Sequence, residues 1–139
     1  MRFFTKGENV KYYGYGPYES YSDKHLCTYL DEFNTTVSDM YEPYIKPQEN
    51  GSHFGTRYVE TENIRVSSDT PFSFSALHYT QEELTEKKHN FELEKCDDTV
   101  LCIDYKQNGI GQNSCGPLTQ EEYRFDESEF EFKIRIEIK

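Results

Sequence analysis

Hydrophobic and polar residues alternate most regularly near the end of the chain. Over residues 130–139 the apolar positions are Phe130, Phe132, Ile134, Ile136 and Ile138, and charged residues of both signs stand between them. This period of two predicts a strand with one buried face. Burying five such side chains would contribute on the order of ten kcal/mol before the entropy cost of ordering them.

Shorter stretches of β-branched and aromatic residues predict further strands. They cover residues 10–15, 56–60, 64–67, 70–79 and 100–105, after a short apolar start at 2–5. In 70–79, alternation puts Phe72, Phe74, Ala76 and His78 on one face, which predicts a half-buried strand and a partly buried histidine. Residues 100–105 are apolar on both faces as far as Asp104, as in a central strand.

Two stretches depart from this strand pattern. Residues 25–37 fit a helical face and a strand equally well, and the strands around them favour a strand. Residues 80–88 predict a helix, because Thr80 and Glu83 form a capping box and acidic and basic residues occupy its first and last turns. Leu84 is its one strong apolar anchor, so this helix should be short and lie on the surface.

Composition supports a mainly β chain. The 139 residues contain 12 Tyr and 10 Phe but only 35% hydrophobic residues, and aromatic residues favour strands. The length suits one domain, or a fragment of one, spanning 1–139. The tyrosines crowd at Tyr12, Tyr13, Tyr15, Tyr18 and Tyr21. Their rings could stack on a sugar, but we favour packing within strands and loops.

The net charge of −11 disfavours nucleic acid and anionic membrane surfaces as partners. The first ten residues lack the apolar segment of a signal peptide, and no run reaches membrane-spanning length, so we expect a cytoplasmic location. The four cysteines form no C-x-x-C pair and the histidines no metal-ligand spacing, so free thiols are expected and no metal site.

Residues 41–57 form a rigid surface segment. Pro43 and Pro47 keep the chain between them extended, and Asn50-Gly51 suits a tight turn before the chain returns into a strand. Residues 107–117 (QNGIGQNSCGP) form a second irregular segment, and such loops often carry function. Cys115 within it could act as a nucleophile if the fold brought a histidine near, but Gly116 and Pro117 more simply fix a loop.

These segments carry a resemblance that spans nearly the whole chain. The YEPYIKPQENG stretch resembles the Y-x-P-Y-x-x-P-Q-E-N-G signature of the C-terminal, small-chain domain of family 2 β-galactosidases. The YGYGPYESYSDK stretch resembles that family's Y-G-x-G-P-x-E-N-Y-x-D-R, with Ser20 in place of Asn and Lys24 in place of Arg. Two further blocks follow in the family's order, at residues 72–84 and at Asp104 with residues 109–111.

The resemblance implies the C-terminal half of a β-sandwich of the galactose mutarotase-like, supersandwich type. It implies that the two catalytic glutamates and the Mg and Na sites lie on other parts of the enzyme, chiefly a (β/α)₈ barrel. This chain would then be inactive alone and use no cofactor, closing the active-site pocket and supporting assembly with the remaining domains or large subunit. Homo-oligomers are possible.

The resemblance also implies a sugar-contacting loop. In the family, a tryptophan after the G-I-G stacks on the sugar; here Cys115 falls at or beside that position, and the chain has no tryptophan. The substrate-binding candidates are therefore Gln112, Asn113, Ser114 and Cys115, whose polar groups could contact galactoside hydroxyls. Three alternatives stay open: a stand-alone carbohydrate-binding β-sandwich module, a mutarotase-like epimerase, and a purely structural segment.

Overall fold

The computed structural model describes residues 1–111 and 118–139. They form a seven-stranded antiparallel sheet in which six strands run in the order β1-β6-β5-β4-β2-β3 and β7 also pairs with β5. The strands are β1 (Arg2–Thr5), β2 (Asn9–Gly16), β3 (Tyr29–Thr36), β4 (His53–Glu60), β5 (Ile64–Leu77), β6 (Thr99–Asp104) and β7 (Arg135–Ile138). The mainly β prediction is confirmed.

The sheet is organised around β5, which is 14 residues long. It joins the two predicted strands 64–67 and 70–79 into one. On one edge it pairs with β4 from Arg65 to Phe74. On the other edge its first residues, Ile64–Ser67, pair with β7 and its last residues, Ser73–Leu77, pair with β6. The register between β4 and β5 shifts on both sides of Thr56.

The second half of β5 is buried on both faces, in contrast to the half-buried strand predicted. On one face, the ring of Phe74 packs against Tyr12 and His53 at centroid distances of 5.1 and 5.3 Å. On the other, Leu77 lies beneath Gly51. The rigid segment that contains Gly51 therefore covers a face that the alternation alone leaves open to solvent.

The ambiguous stretch 25–37 contains a strand, as predicted. Its residues from Tyr29 to Thr36 pair one to one with β2 along eight positions. Most side chains of β3 are exposed, since it lies at the edge of the sheet. This exposure explains why its sequence shows no clear hydrophobic period.

The predicted helix is present, with Thr80 as its N-cap, and ends two residues earlier than expected. It covers Gln81–Glu86 (α1), with the Thr80 hydroxyl accepting from the Glu83 backbone N–H at 3.1 Å and Leu84 fully buried. Lys87 is already extended. Two short 3-10 turns follow, at Asn90–Glu92 and Glu121–Tyr123.

The C-terminal strand is much shorter than predicted. Only Arg135–Ile138 pairs with β5, and all four of its residues are exposed. Phe132 and Ile134 pack on the core from an irregular segment, whereas Ile136 and Ile138 are 43% and 86% exposed. The prediction of five buried side chains is wrong, because no part of the described chain covers the outer half of this face.

In the described part of the chain, no helix has both the length and the apolar character needed to cross a membrane.

Candidate functional site

A buried carboxylate joins the two motif segments. Glu19 lies in the corner after β2 and accepts hydrogen bonds from the Gly51 backbone N–H at 2.9 Å and from the Lys24 ammonium at 2.5 Å. The Tyr44 hydroxyl donates to the same carboxylate. We call this set of four residues the Glu19 clasp. It holds the extended segment with its two prolines against the corner.

The clasp keeps Glu19 ionised. Burial alone would raise the pKa of the carboxyl, but the hydrogen bonds from Lys24, Tyr44 and Gly51 outweigh burial and hold the pKa below its usual value. The pKa of Lys24 is raised, since its bonds to Glu19 and Tyr44 outweigh its own partial burial. The pair is therefore charged at neutral pH and locks the corner electrostatically.

Backbone contacts extend the same corner onto β4. The Ser20 N–H donates to the Ser52 carbonyl at 2.7 Å, and the Ser20 hydroxyl accepts from the Phe54 N–H at 2.9 Å. The backbone at Asn50-Gly51 has the positive φ expected there, although residues 50–51 are not assigned as a turn. Gly51 has φ of +67°, and the buried Asn50 amide bonds to backbone groups of both Glu42 and Gln48.

The corner also holds the start of the loop at 107–117. Residues 21 and 24 exchange two backbone hydrogen bonds, at 2.9 and 3.1 Å, which makes a tight turn with Asp23 inside it. The Asp23 carboxylate accepts from the Ile110 N–H at 3.1 Å and from the Gly111 N–H at 3.2 Å. Two blocks of the family pattern, almost 90 residues apart, therefore meet at one carboxylate.

Further contacts fix the base of this loop. The Gln107 amide donates to Asp104 and accepts from the Ser52 hydroxyl, both at 2.9 Å. The Asn108 side chain accepts from the Phe125 N–H at 2.6 Å, so the chain leaving the loop returns to its starting point. The loop therefore begins and ends on a fixed base.

An aromatic cleft of about 600 Å³ lies beside the loop base. Tyr15 and Phe54 stack in it at 5.4 Å between ring centroids, and His25 lies 5.6 Å from Phe54. Of the tyrosine cluster, Tyr12 is wholly buried in the core, while Tyr15 and Tyr21 line this cleft. Packing therefore accounts for Tyr12, as we favoured.

The predicted sugar-contacting residues Gln112, Asn113, Ser114 and Cys115 lie outside the described residues. The structure describes the residues that precede and follow this segment, so the roles of these four residues stay predictions. The described cysteines Cys27, Cys96 and Cys102 are free thiols. Within residues 1–111 and 118–139, no group of three or more His, Cys, Asp or Glu side chains is placed to hold a metal ion.

Two of the histidines have structural partners. His53 is buried and its Nδ1 lies 3.0 Å from the Tyr15 carbonyl oxygen. Burial lowers the pKa of His53 to about 4, so its ring is neutral at physiological pH. His78 is partly buried, as expected, and bonds to Glu8 and to the Asp98 carbonyl.

Comparison with known proteins agrees with these motifs. Residues 1–136 match the family model described as "Beta galactosidase small chain". The chain belongs to this family. Small-chain sequences similar to it occur within the β-galactosidase of Actinobacillus pleuropneumoniae, 54% identical over 99% of this chain, and that of Staphylococcus xylosus, 49% identical over 93%. The chain spans only 14% and 13% of these relatives' lengths.

The small-chain match confirms the family predicted from the sequence and the prediction that this chain corresponds to a segment of a β-galactosidase. The alternative of a stand-alone carbohydrate-binding module is not favoured, because the relatives are β-galactosidases several times longer than this chain.

Sequence reasoning missed the two acidic residues on which the site is built. Glu19 and Asp23 lie inside the YGYGPYESYSDK block, but the sequence pattern assigned neither of them a role. The signal that could have identified them was the type of residue around each one. Both stand singly among tyrosines and serines after a Gly-Pro turn, where a carboxylate meets many backbone and hydroxyl donors.

Proposed function

We propose that this chain is the C-terminal part of a β-galactosidase, an enzyme that hydrolyses terminal β-D-galactose from β-D-galactosides. The observation that carries the proposal is the match to the small-chain family over residues 1–136, with relatives named β-galactosidase that are about seven times longer. The two catalytic glutamates and any metal ions lie on the other domains. Alone, this chain is inactive and holds no cofactor.

Its contribution to the reaction is to close the sugar pocket with the loop at 107–117. The Glu19 clasp and the contacts of Gln107 and Asn108 give this loop a rigid base. Gln112, Asn113 and Ser114 offer hydrogen-bonding groups to the galactose hydroxyls, and Cys115 offers a small polarizable surface. Rigid support matters, since binding groups must be held in place to favour the transition state.

The partner of the chain is the remainder of the β-galactosidase. The exposed apolar side chains of β7 and the segment before it suit contact with a second layer of a β-sandwich of the galactose mutarotase-like type. The free thiols at Cys27, Cys96 and Cys102 fit the proposed cytoplasmic location. Homo-oligomers of the whole enzyme would provide further contacts between subunits.

A chimeric enzyme tests the proposal. The matched segment of the A. pleuropneumoniae β-galactosidase is replaced by this chain, with a deletion of the segment as the control. We expect the chimera to hydrolyse a chromogenic β-galactoside and the deletion to be inactive. A chimera that folds and assembles but hydrolyses nothing would refute the proposal.

The sugar contact has its own test in the active chimera. Asn113→Ala and Cys115→Ala should each weaken inhibition by a galactose-like competitive inhibitor. The exposed Lys95→Ala serves as the matched surface control. If inhibition and turnover stay at the parent's level in both loop variants, the loop does not contact the sugar.

A further inference from the structure

The strongest unassigned feature is the carboxylate of Asp23. It accepts two consecutive backbone N–H groups, those of Ile110 and Gly111, with one carboxylate oxygen on each. Hydrogen bonds to a charged acceptor are stronger than those between neutral groups. These two bonds fix the direction in which the chain leaves Gly111 for the loop.

Hydrogen bonds on both sides of Asp23 hold its turn in place. Its turn is closed by the paired backbone bonds of Tyr21 and Lys24, and the next side chain, Lys24, is held by the buried Glu19. Glu19 in turn binds the backbone of Gly51. The turn that carries Asp23 is therefore linked through Lys24 and Glu19 to the segment at Gly51.

Gly109 gives a second, independent sign of this arrangement. A Cβ atom at position 109 would overlap the Asp23 carboxylate itself. Gly109 is buried, so a side chain at this position would have to push the Asp23 carboxylate away from the two amides. The absence of a side chain at 109 is what lets the loop backbone approach Asp23 closely enough for both amides to reach it.

We propose that Asp23 is a positioning residue for galactoside hydrolysis, acting through the backbone of residues 109–111. It touches no reacting atom. Its role is to fix the backbone of residues 110 and 111, from which the proposed sugar-contacting residues follow, and Gly109 is required so that it can do so. This inference rests on the proposed function of the loop, whereas the hydrogen bonds that carry it do not.

The first experiment measures these hydrogen bonds without any catalysis. Amide hydrogen exchange is compared in this chain with Asp23 and with the variant Asp23→Asn. An asparagine keeps one acceptor oxygen but places an N–H₂ group toward the second amide. We expect the Ile110 and Gly111 amides to exchange at least tenfold faster in the variant. Equal exchange at both amides would overturn the proposal.

The second experiment uses the active chimera and separates positioning from folding. Asp23→Asn is compared with Asp97→Asn, an exposed aspartate whose loss changes the charge equally. We expect Asp23→Asn to lower kcat/KM for a β-galactoside by about tenfold, with a raised KM and a melting temperature within a few degrees of the parent, since small misplacements near a reacting centre are costly. Asp97→Asn should match the parent.

A double-mutant cycle distinguishes positioning from a general structural role. Gly109→Ala should displace the Asp23 carboxylate and so reproduce the loss seen in Asp23→Ala. In the double variant the clash is gone, so the two losses in kcat/KM should overlap instead of multiplying. Losses that multiply, or that follow only the fraction of folded enzyme, would overturn the proposal.

The outcomes also separate this proposal from the proposed function. An inactive parent chimera counts against the function, while the exchange measurement still decides whether Asp23 holds the Ile110 and Gly111 amides. An active parent with unchanged kcat/KM in Asp23→Asn counts against positioning alone.

Discussion

Strands β6 and β7 both pair with the same edge of β5, yet they differ completely in burial. Residues 99–103 of β6 are all buried, whereas all four residues of β7 are exposed. Both have strand-like sequences, and that of the C-terminal segment is the more regular. The comparison teaches that alternation predicts a strand and its two faces, whereas burial depends on what other parts of the chain cover those faces.

The largest effect should come from the buried side of this comparison. Phe74 lies opposite Ile103 of β6 and contacts Tyr12 and His53. We expect Phe74→Ala to lower the free energy of unfolding by about 3–5 kcal/mol, because it removes a fully buried ring and leaves a cavity. Urea denaturation of the chain measures this loss. A change below about 1 kcal/mol would mean that the core is not packed around β5.

The second largest effect should come from Glu19, because it joins the segment that contains Gly51 to the corner after β2. Glu19→Ala removes the acceptor of Lys24, Tyr44 and the Gly51 N–H, and should reduce the free energy of unfolding by about 2–4 kcal/mol. The exposed Glu129→Ala is the matched control and should stay within about 0.5 kcal/mol. Equal effects of the two would show that the clasp contributes no stability.

The buried His53 makes this region sensitive to acid. Its pKa is about 4 when folded and about 6.5 when unfolded, so between these values the unfolded chain binds the extra proton. The contribution of the neutral His53 to the free energy of unfolding is therefore complete above pH 6.5. It falls by about 1.4 kcal/mol per pH unit as the pH drops toward 4. His53→Gln should flatten this slope in urea titrations at several pH values.

A slope that survives His53→Gln would assign the acid sensitivity to other groups. Glu19 is one such group. Its lowered pKa means that its contribution is lost only at lower pH, as the carboxylate is protonated.

The smallest effect belongs to the exposed strand. Ile138→Ala should change the free energy of unfolding of this chain by less than about 0.5 kcal/mol, since the side chain is 86% exposed. Ile103→Ala in β6 is the buried counterpart and should cost about 2–4 kcal/mol. Similar values for the two isoleucines, measured by urea denaturation, would contradict the burial difference between β6 and β7.

Most elements could be predicted because their signals are local. The T-x-x-E pattern predicted that α1 begins at Thr80, and Asn50-Gly51 marked a position that takes positive φ. The extent of β7 could not be predicted, because it depends on the neighbours of its apolar face. The burial of β5 on both faces was missed for the same reason, since the cover comes from a distant segment around Gly51.

The candidate site was predictable only in part. The loop at 107–117 is marked by its glycines and by the family pattern, whereas Asp23 and Glu19 act through backbone groups at positions 51, 110 and 111. Backbone donors leave no trace in a sequence, because every residue except proline carries one. An acid that binds them therefore looks like any surface acid until the fold is known.

The contact between Asn108 and Phe125 has a consequence for how such proteins diverge. A segment whose two ends are tied together at the base can lengthen, shorten or change its chemistry with little strain on the sheet below, because extending a closed loop adds only a small entropic penalty. Insertions and deletions among homologous chains should therefore concentrate between these two residues, on an unchanged scaffold.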